Sequence, residues 1–455
     1  MNSILFYSTN LRAKAVPFRD ALLKGIAPDG GLYMPETIPV LSAEEILRFS
    51  DLDYYKIAFE VGRTFLRGQI PDDALEELVK DAYDYPVPLE NVYERKYVMR
   101  LDQGPTASFK DFAARMMGRL MQYYLQKEDR NLLILTATSG DTGSAIANAF
   151  YGLDNIQVTV LFPEKEVTAR QRKQMTTLGK NVQILALDAK FDDCQALVKQ
   201  AFADSDLDYL NLSSANSINI GRLIPQTIYY FYAFAKLRPR NKDDSILFSV
   251  PSGNFGDMMG GLLAYKMGLP VRRFIIATNE NDEFPKFMAT GNYEKIVPSR
   301  NCISSAMNVG HPSNLSRVVA LYGGVMDEQG GIHKAPDFIR MRDDMIAISI
   351  TDQETESTIR NAYHKFELLL EPHGSVGWTG LQNYLKKHPD RDSEDLLCVS
   401  LETAHPAKFP EKIRELLDLD PPLPPSLEGI EEKEESYAHL DNNYQAFKEY
   451  LQKRS

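Results

Sequence analysis

Cysteine is scarce in this sequence. The 455 residues include three cysteines, Cys194, Cys302 and Cys398, which are far apart along the chain. An odd and widely spaced set forms neither a disulfide framework nor a metal-ligand pattern, and it is typical of a reducing compartment. No apolar run approaches the roughly 20 residues of a membrane-spanning helix, and the first residues lack the pattern of a secretory signal. We therefore expect a soluble cytoplasmic protein.

Positive charge is also in short supply. Acidic residues outnumber basic residues by 63 to 51, which gives a formal charge of −12, and no long run of Lys or Arg is present. Nucleic-acid binding needs a basic surface, so we expect neither nucleic acid nor a membrane as a partner. The phosphate-binding pattern Gly-x-x-x-x-Gly-Lys-Ser/Thr and the dinucleotide pattern Gly-x-Gly-x-x-Gly are missing, which disfavours a nucleotide-binding protein. The seven histidines contain no His-Glu-x-x-His, and we expect no catalytic metal.

The sequence does contain a repeated alternation of strand and helix patterns. Apolar runs of strand length, such as 132–137, 156–162 and 245–250, are separated by stretches with helical periodicity. This alternation predicts an α/β fold whose parallel sheets are covered by helices. The sequence predicts four parts. A mainly helical N-terminal region at 1–95 is followed by a large α/β domain from 96–130 and 233–420, into which a smaller α/β domain at 131–232 is inserted. A Pro-rich linker and a C-terminal helix at 421–455 are expected to form a surface appendage.

The stretch 101–117 contains a lysine in an unusual position. A Gly-Pro-Thr turn at 104–106 precedes a helical pattern that starts near Phe109, and we predict Ser108 as the N-cap with Asp111 as its capping-box partner. Lys110 then lies in the first helical turn, where the helix dipole disfavours a cation. Its amine either points into water or is kept neutral as a nucleophile. This stretch alone favours the solvated alternative.

Three loops follow predicted strands, where open α/β sheets bind ligands. The Gly-rich loop 252–257 suits a phosphate, although a plain strand–helix turn explains it equally well. The loop 139–143 offers hydroxyls and backbone donors for a carboxylate. In the loop 402–408 we expect His405 to be a capped core histidine or a surface histidine in preference to a metal ligand.

Five motifs taken together resemble the threonine synthase family. They are Gly-Pro-Thr-x-x-Phe-Lys-Asp-Phe at 104–112, Thr-Ser-Gly-Asp-Thr-Gly-Ser-Ala at 138–145, Ser-Ala-Asn-Ser-Ile-Asn at 214–219, Pro-Ser-Gly-Asn-Phe-Gly-Asp at 251–257 and Thr-Ala-His-Pro-Ala-Lys-Phe at 403–409. The resemblance extends from residue 27 to about residue 415. It implies a pyridoxal-phosphate enzyme of fold type II, the type of the tryptophan synthase β subunit. The implied reaction converts O-phospho-L-homoserine and water to L-threonine and phosphate.

The resemblance gives the candidate residues their roles. Lys110 would bind pyridoxal 5'-phosphate covalently and would move protons at the substrate. Thr403 would contact the pyridine nitrogen. The backbone of one loop would bind the cofactor phosphate, and its members are Gly253, Asn254, Phe255, Gly256 and Asp257. We expect the Asp257 carboxylate to cap the helix that follows.

Four further residues are candidates for contact with the substrate. Ser139 and Thr142 could hold its carboxylate. Arg222 could bind its phosphate bidentately, or could form an ordinary surface ion pair. Asn216 lies in a polar loop that we expect to be buried and hydrogen-bonded.

The chain departs from the family at 101–103, where Leu-Asp-Gln replaces the Leu-Phe-His of many members, and at Ser108, where an apolar residue is usual. These differences concern the substrate pocket. One alternative function is a phospholyase or dehydratase of the same cofactor class that releases 2-oxobutyrate. Another is a non-catalytic protein that keeps the fold, which the retained Lys110 and loops argue against. The sequence favours neither a monomer nor a homodimer.

Overall fold

Two β-sheets, one wholly and one largely parallel, are flanked by helices and form most of the described part of the molecule. The structure is a computed structural model, and it describes residues 3–138, 140–237, 244–389 and 394–453. The two sheets confirm the predicted α/β fold with two parallel sheets. In the described residues, no helix combines the length and the apolar character needed to cross a membrane.

The N-terminal region is mainly helical, as predicted, but it also contains a small antiparallel sheet of order β2-β1-β3 that the sequence did not reveal. Its elements are β1 (Leu5–Ser8), β2 (Val16–Pro17), α1 (Phe18–Lys24), β3 (Tyr33–Pro35), α2 (Ala43–Arg48), α3 (Tyr54–Leu66) and α4 (Asp72–Ala82).

The middle of the chain contains two strands of the large sheet and then most of the second sheet. Its elements are β4 (Leu89–Tyr93), β5 (Lys96–Arg100), α5 (Lys110–Glu128), β6 (Leu132–Ala137), α6 (Asp141–Phe150), β7 (Ile156–Pro163), α7 (Ala169–Thr176), β8 (Val182–Leu187), α8 (Phe191–Ala203), β9 (Leu212–Ser213), α9 (Ile220–Leu223) and α10 (Ile228–Leu237).

The last part of the chain completes both sheets. Its elements are β10 (Ile246–Pro251), α11 (Gly256–Lys266), β11 (Val271–Thr278), α12 (Glu283–Thr290), α13 (Leu315–Leu321), β12 (Val325–Met326), β13 (Ile332–Lys334), α14 (Phe338–Asp344), β14 (Met345–Ser349), α15 (Asp352–Phe366), α16 (Pro372–Lys387), β15 (Leu397–Glu402), α17 (Pro410–Leu417), β16 (Ala438–Leu440) and α18 (Tyr444–Gln452).

The large sheet has the strand order β14-β11-β10-β15-β5-β4. Its strands are parallel except for β4, which pairs antiparallel with β5 at one edge. Every residue of β10 and β15 is buried, because helices cover both faces of the sheet. The sequence did not predict β4 or β5, and β4 lies before the domain boundary expected near residue 95. The domain boundaries themselves stay a prediction.

The second sheet has the order β16-β8-β7-β6-β9, with all strands parallel. The edge strand β16 comes from the C-terminal segment 421–455, for which a surface appendage is the prediction from the sequence. That expectation is wrong, because β16 pairs with β8 and the side chains of Phe447 and Leu451 are buried. The apolar face of α18 thus covers the same cluster as α8.

The helical segment that runs from residue 220 to residue 237 is interrupted. A 3₁₀ segment at Ile224–Thr227 separates α9 from α10. Pro225 explains the break, since proline lacks the N–H that a continuous α-helix requires.

Candidate active site

Two of the predicted loops, 252–257 and 402–408, and the loop before Lys110 follow neighbouring strands of the large sheet. In the order β10-β15-β5, the carboxyl ends lead to loop 252–257, loop 403–409 and loop 101–109, respectively. Parallel strands place their carboxyl ends at one edge of the sheet, so the three loops meet there. The remaining predicted loop, 139–143, follows β6 of the second sheet.

The loop before Lys110 is held by backbone pairing with the loop that contains Thr403. Phe109 N–H donates to Thr403 O over 2.9 Å, and His405 N–H donates to Ala107 O over 3.0 Å. The predicted capping role of Ser108 is wrong. Helix α5 starts without a side-chain cap, and the buried Ser108 hydroxyl has no partner among the described residues. The pairing with the second loop fixes the start of the helix instead.

The predicted capping-box role of Asp111 is also wrong. Its carboxylate turns back into the preceding turn and accepts hydrogen bonds from Thr106 N–H over 2.8 Å and from Thr106 Oγ1 over 2.6 Å. A Cβ atom on Gly104 would lie 2.4 Å from Asp111 Oδ2. The glycine is therefore required for this close turn.

The Lys110 side chain is mostly, but not fully, buried. It is 13% exposed, and its Nζ lies 3.6 Å from Asp141 Oδ2. Burial lowers the pKa of Lys110, Asp141 raises it, and the charges of Lys408 and Arg222 lower it further. The net pKa lies below the ordinary value of a lysine. The solvated alternative is therefore wrong.

Loop 252–257 presents free backbone donors. In the described part of the chain, no N–H group from Gly253 to Asp257 donates to a protein acceptor. A Cβ on Gly253 would lie 2.9 Å from Met307 Cα, so glycine is needed there. Phe255 has a left-handed φ of 62° and packs its ring against Phe284 at a centroid distance of 4.8 Å. Its side chain thus anchors the loop while the backbone stays available to an anion.

Asp257 does not cap helix α11, so that prediction is wrong. Its Oδ1 accepts hydrogen bonds from Tyr229 over 2.6 Å and from Tyr230 over 2.7 Å. Oδ2 is buried without a partner among the described residues. Burial raises the pKa of Asp257 to about 6, although the two tyrosines lower it. The contribution of Asp257 to a phosphate site would therefore come from its backbone N–H.

The raised pKa of Asp257 predicts a pH effect on stability. The protonated form is favoured in the folded protein, so the stabilisation is present below the ordinary value of 3.8 and is lost as the pH rises to about 6. Two pKa units correspond to roughly 3 kcal/mol. As the pH rises from 3.8 to about 6, we therefore expect the free energy of unfolding of Asp257→Asn to increase relative to that of the wild type, by up to this amount.

Chemical denaturation at several pH values measures this difference. The exposed Asp154 offers a matched control, in which Asp154→Asn removes a carboxylate from the surface. A constant difference for Asp257→Asn would contradict the raised pKa.

Thr403 follows β15 directly, as predicted, and is 6% exposed. Its hydroxyl has no hydrogen-bond partner within the described ranges. Nearby, the half-buried ring of His405 accepts Ala407 N–H over 3.1 Å. Burial, together with Arg100 and Lys408, lowers the pKa of His405 to about 4. His405 is thus half-buried and caps the turn that follows it, so it is neither a fully buried core histidine nor an exposed surface histidine.

The described candidate substrate residues lie on segments that follow strands β6 and β9 of the second sheet. Ser139 falls outside the described residues. Thr142 lies half-buried in the first turn of α6. Asn216 is half-buried in the loop after β9, and its Oδ1 accepts a hydrogen bond from Thr136 Oγ1 over 2.7 Å.

Arg222 is buried, so the predicted alternative of a surface ion pair is wrong. It is 3% exposed and donates from one terminal nitrogen to Ala215 O over 2.8 Å. Within the described residues it has no carboxylate partner, and its Nε has no acceptor. Burial lowers the pKa of Arg222 to about 10. A buried guanidinium with unused donors favours the anion-binding alternative.

Sequence reasoning missed two residues of the site, Asp141 and Lys408. Both lie within the motifs quoted above, but nothing in the sequence pairs them. In the structure Lys408 Nζ lies 2.7 Å from Asp141 Oδ1.

In the described residues no group of three or more His, Cys, Asp and Glu side chains could hold a metal, and the absence of a metal role stays a prediction.

These features fit pyridoxal phosphate. The buried lysine amine suits covalent binding, the free N–H groups of loop 252–257 suit a phosphate, and the unpaired Thr403 hydroxyl suits a ring nitrogen. Residues 86–400 match the family described as pyridoxal-phosphate dependent enzyme. The chain is thus a pyridoxal-phosphate dependent enzyme of fold type II.

Two further family matches and a similar protein identify the family within this class of enzymes. Residues 5–83 match the family described as threonine synthase N terminus, and residues 375–451 match threonine synthase, C-terminal. The chain is 38% identical to the threonine synthase of Haemophilus influenzae over 448 residues, which cover 98% of this chain and 99% of that protein. It therefore belongs to the threonine synthase family.

Other relatives agree with this assignment. The chain is 38% identical to the threonine synthase of Escherichia coli over 92% of its own length and 93% of that protein. A crystal structure of pyridoxal-phosphate-bound threonine synthase from Brucella melitensis superimposes with a TM-score of 0.91 at 36% identity. The superposition covers 100% of both chains.

Proposed function

We propose that this protein converts O-phospho-L-homoserine and water to L-threonine and phosphate, the last step of threonine biosynthesis. The observation that carries the proposal is a buried lysine amine at the edge of the sheet where a loop with free backbone N–H groups also begins. The similarity to threonine synthases over nearly the whole chain supports the same reaction. The reaction combines elimination of the γ-phosphate with addition of water at Cβ.

Each part of the cofactor has a residue that would hold it. Lys110 would bind it covalently, the N–H groups of Gly253 to Asp257 would bind its phosphate, and Thr403 would contact its ring nitrogen. When bound, pyridoxal phosphate supplies an electron sink for the carbanions at Cα and Cβ of the substrate. A hydroxyl beside the ring nitrogen does not hold that nitrogen protonated as a carboxylate would, so the sink is a mild one.

Lys110 would also transfer protons once the substrate is bound. Its lowered pKa increases the fraction of neutral amine, which is the form able to accept a proton. As general base it would take a proton from the substrate Cα, and as general acid it would return protons during the later steps.

The substrate carries two anionic groups that need separate sites. Ser139 and Thr142, with the backbone at the start of α6, would bind the carboxylate. Arg222 would bind the phosphate through its unused donors, and Asn216 would contact the substrate from the loop after β9. Two separate anion sites would fix the distance between Cα and the leaving phosphate.

Thr403 offers a prediction for the cofactor site. We expect Thr403→Ala to weaken cofactor binding and to reduce turnover, because the free hydroxyl is lost. Loss of one hydrogen bond costs about 0.5–1.5 kcal/mol, roughly a two- to tenfold change in the dissociation constant. We expect Thr403→Asp to change the ratio of threonine to 2-oxobutyrate, because a carboxylate would hold the ring nitrogen protonated.

Cofactor titration followed by absorbance, together with product analysis, measures both effects. The exposed Thr290 is a matched control on α12, where its hydroxyl bonds only within its own segment. Wild-type affinity and product ratio in both Thr403 variants would exclude contact between this side chain and the ring.

Turnover of O-phosphohomoserine with separate quantification of threonine and phosphate tests the proposed reaction. Equal amounts of the two products are expected. Phosphate accompanied by 2-oxobutyrate would instead support the phospholyase or dehydratase alternative. We further propose that the protein acts in the cytoplasm on this small-molecule substrate.

A further inference from the structure

One buried carboxylate lies between two lysines in the site. Asp141 Oδ2 is 3.6 Å from Lys110 Nζ, and Asp141 Oδ1 is 2.7 Å from Lys408 Nζ. The Asp141 side chain is 3% exposed, and its Oδ1 also accepts a hydrogen bond from Gln171 Nε2 over 2.9 Å. The carboxylate can therefore stabilise an ammonium on either lysine.

Lys408 is fixed in this position by its other contact. Its side chain is fully buried, and Nζ donates to Thr106 O over 2.9 Å in the loop that leads to Lys110. Lys408 thus joins the Lys110 loop to the start of α6. The proposed reaction uses neither Lys408 nor Asp141.

We propose that Lys408 is a positioning residue that neutralises Asp141 and thereby leaves the Lys110 amine free to lose its proton and capture the cofactor. In that capture the neutral amine bonds to the aldehyde carbon, and the aldehyde oxygen leaves as water with both amine hydrogens. An ammonium held by Asp141 could not react in this way. This inference rests on the proposed covalent role of Lys110.

The surrounding charges are consistent with this role. Besides Asp141 and Lys408, the charges of Arg222 and Glu371 act on Lys110. Arg222 lowers the pKa of Lys110, whereas Glu371 raises it. Glu371 already accepts the N–H groups at the start of α16, so it is less available to hold an ammonium.

The charges around Asp141 point the same way. Burial alone raises the pKa of Asp141, but the ammonium groups of Lys408 and Lys110 lower it well below the ordinary value, with a smaller contribution from His373. Asp141 therefore stays ionised at neutral pH. Without Lys408, its negative charge would act mainly on Lys110.

The test is the pH dependence of cofactor capture by the full-length protein. Protein cleared of bound cofactor is mixed with pyridoxal phosphate across a pH series, and borohydride then fixes the linkage for quantification. We expect Lys408→Met to move the capture midpoint upward by about 1–3 pH units, the usual effect of an unshielded opposite charge. We expect Asp141→Asn to move it downward, because Lys408 then repels the proton on Lys110.

The double variant Lys408→Met/Asp141→Asn should return the midpoint toward the wild-type value, and Lys408→Arg should stay near it. Lys412→Met is a matched control, since Lys412 pairs with Glu356 and Glu415 on the surface of α17. A lower captured amount with an unchanged midpoint in both single variants would overturn the proposal and assign the pair a structural role. If Lys408→Met does not fold, the Asp141→Asn variant alone tests the proposal. A downward shift of its capture midpoint supports the role of Lys408, and an unchanged or raised midpoint refutes it.

Peptide mapping of the reduced adduct tests the underlying assumption separately. An adduct on Lys110 with no midpoint shift would refute the role of Lys408 alone. An adduct on a different lysine would refute the proposed cofactor site itself.

Discussion

Lys110→Ala should abolish covalent capture of pyridoxal phosphate and reduce turnover by more than about a thousandfold. The substitution removes both the nucleophilic amine and the group that transfers protons, and loss of proton transfer alone costs about 10²–10⁴-fold. The fold should survive, because Asp141 keeps Lys408 at 2.7 Å as a counter-charge. Borohydride reduction with peptide mapping, a turnover assay and a melting curve measure the three effects.

Lys127→Ala is a suitable control for this experiment. Lys127 lies on the same helix, α5, but is exposed and contacts the neighbouring Tyr123. It should retain wild-type capture and turnover. Recovery of the reduced cofactor on another lysine of the wild-type protein would refute the assignment of Lys110.

Arg222→Ala should weaken apparent affinity for O-phosphohomoserine by about ten- to hundredfold. Loss of a charge-assisted hydrogen bond costs roughly 1.5–3 kcal/mol. Homoserine, which lacks the phosphate, should lose much less affinity. Arg222→Lys should recover only part of the loss, because lysine keeps the charge without the forked geometry. Affinities for both ligands, measured with the melting temperature of each variant, check this prediction.

Arg317 provides a contrasting buried arginine. Its guanidinium donates to Tyr33 O, to Asn314 Oδ1 and to two further carbonyl oxygens, so its donors are used within the protein. Arg317→Lys should lower the melting temperature and leave the discrimination between the two ligands unchanged. Equal losses of affinity for both ligands in Arg222→Ala would show that Arg222 also has only a structural role.

The alternation of strands and helices could be predicted from the sequence. Helices cover both faces of most strands, so these strands are mostly apolar and stand out from the helical stretches. Residues 132–137 and 246–251 are continuous apolar runs for that reason. Strand β5 was missed, because lysine and arginine occupy its two ends and prolines precede its neighbour β4. The relation between β5, β10 and β15, which brings the three loops together, is a property of sheet order that the sequence does not display.

In the candidate site, too, the sequence motifs could be recognised, but the contacts between residues distant in the chain could not. The motifs located Lys110, Thr403 and the Gly-rich loop. The expected caps at Ser108 and Asp257 failed, since contacts with residues distant in the chain replaced the local hydrogen bonds. Asp141 and Lys408 are separated by most of the chain, so their contact could be recognised only in the folded structure.

The pairing of β16 with β8 has a consequence for the order of events during synthesis. On the ribosome, β8 emerges long before β16, and most of the large sheet is made in between. Throughout that interval β8 is an edge strand with exposed backbone donors and acceptors and a largely apolar sequence. Such edges are the sites at which nascent chains pair with the wrong partner. Strand β16 therefore protects this edge of the second sheet against misassembly only after β10, β11, β14 and β15 have been made.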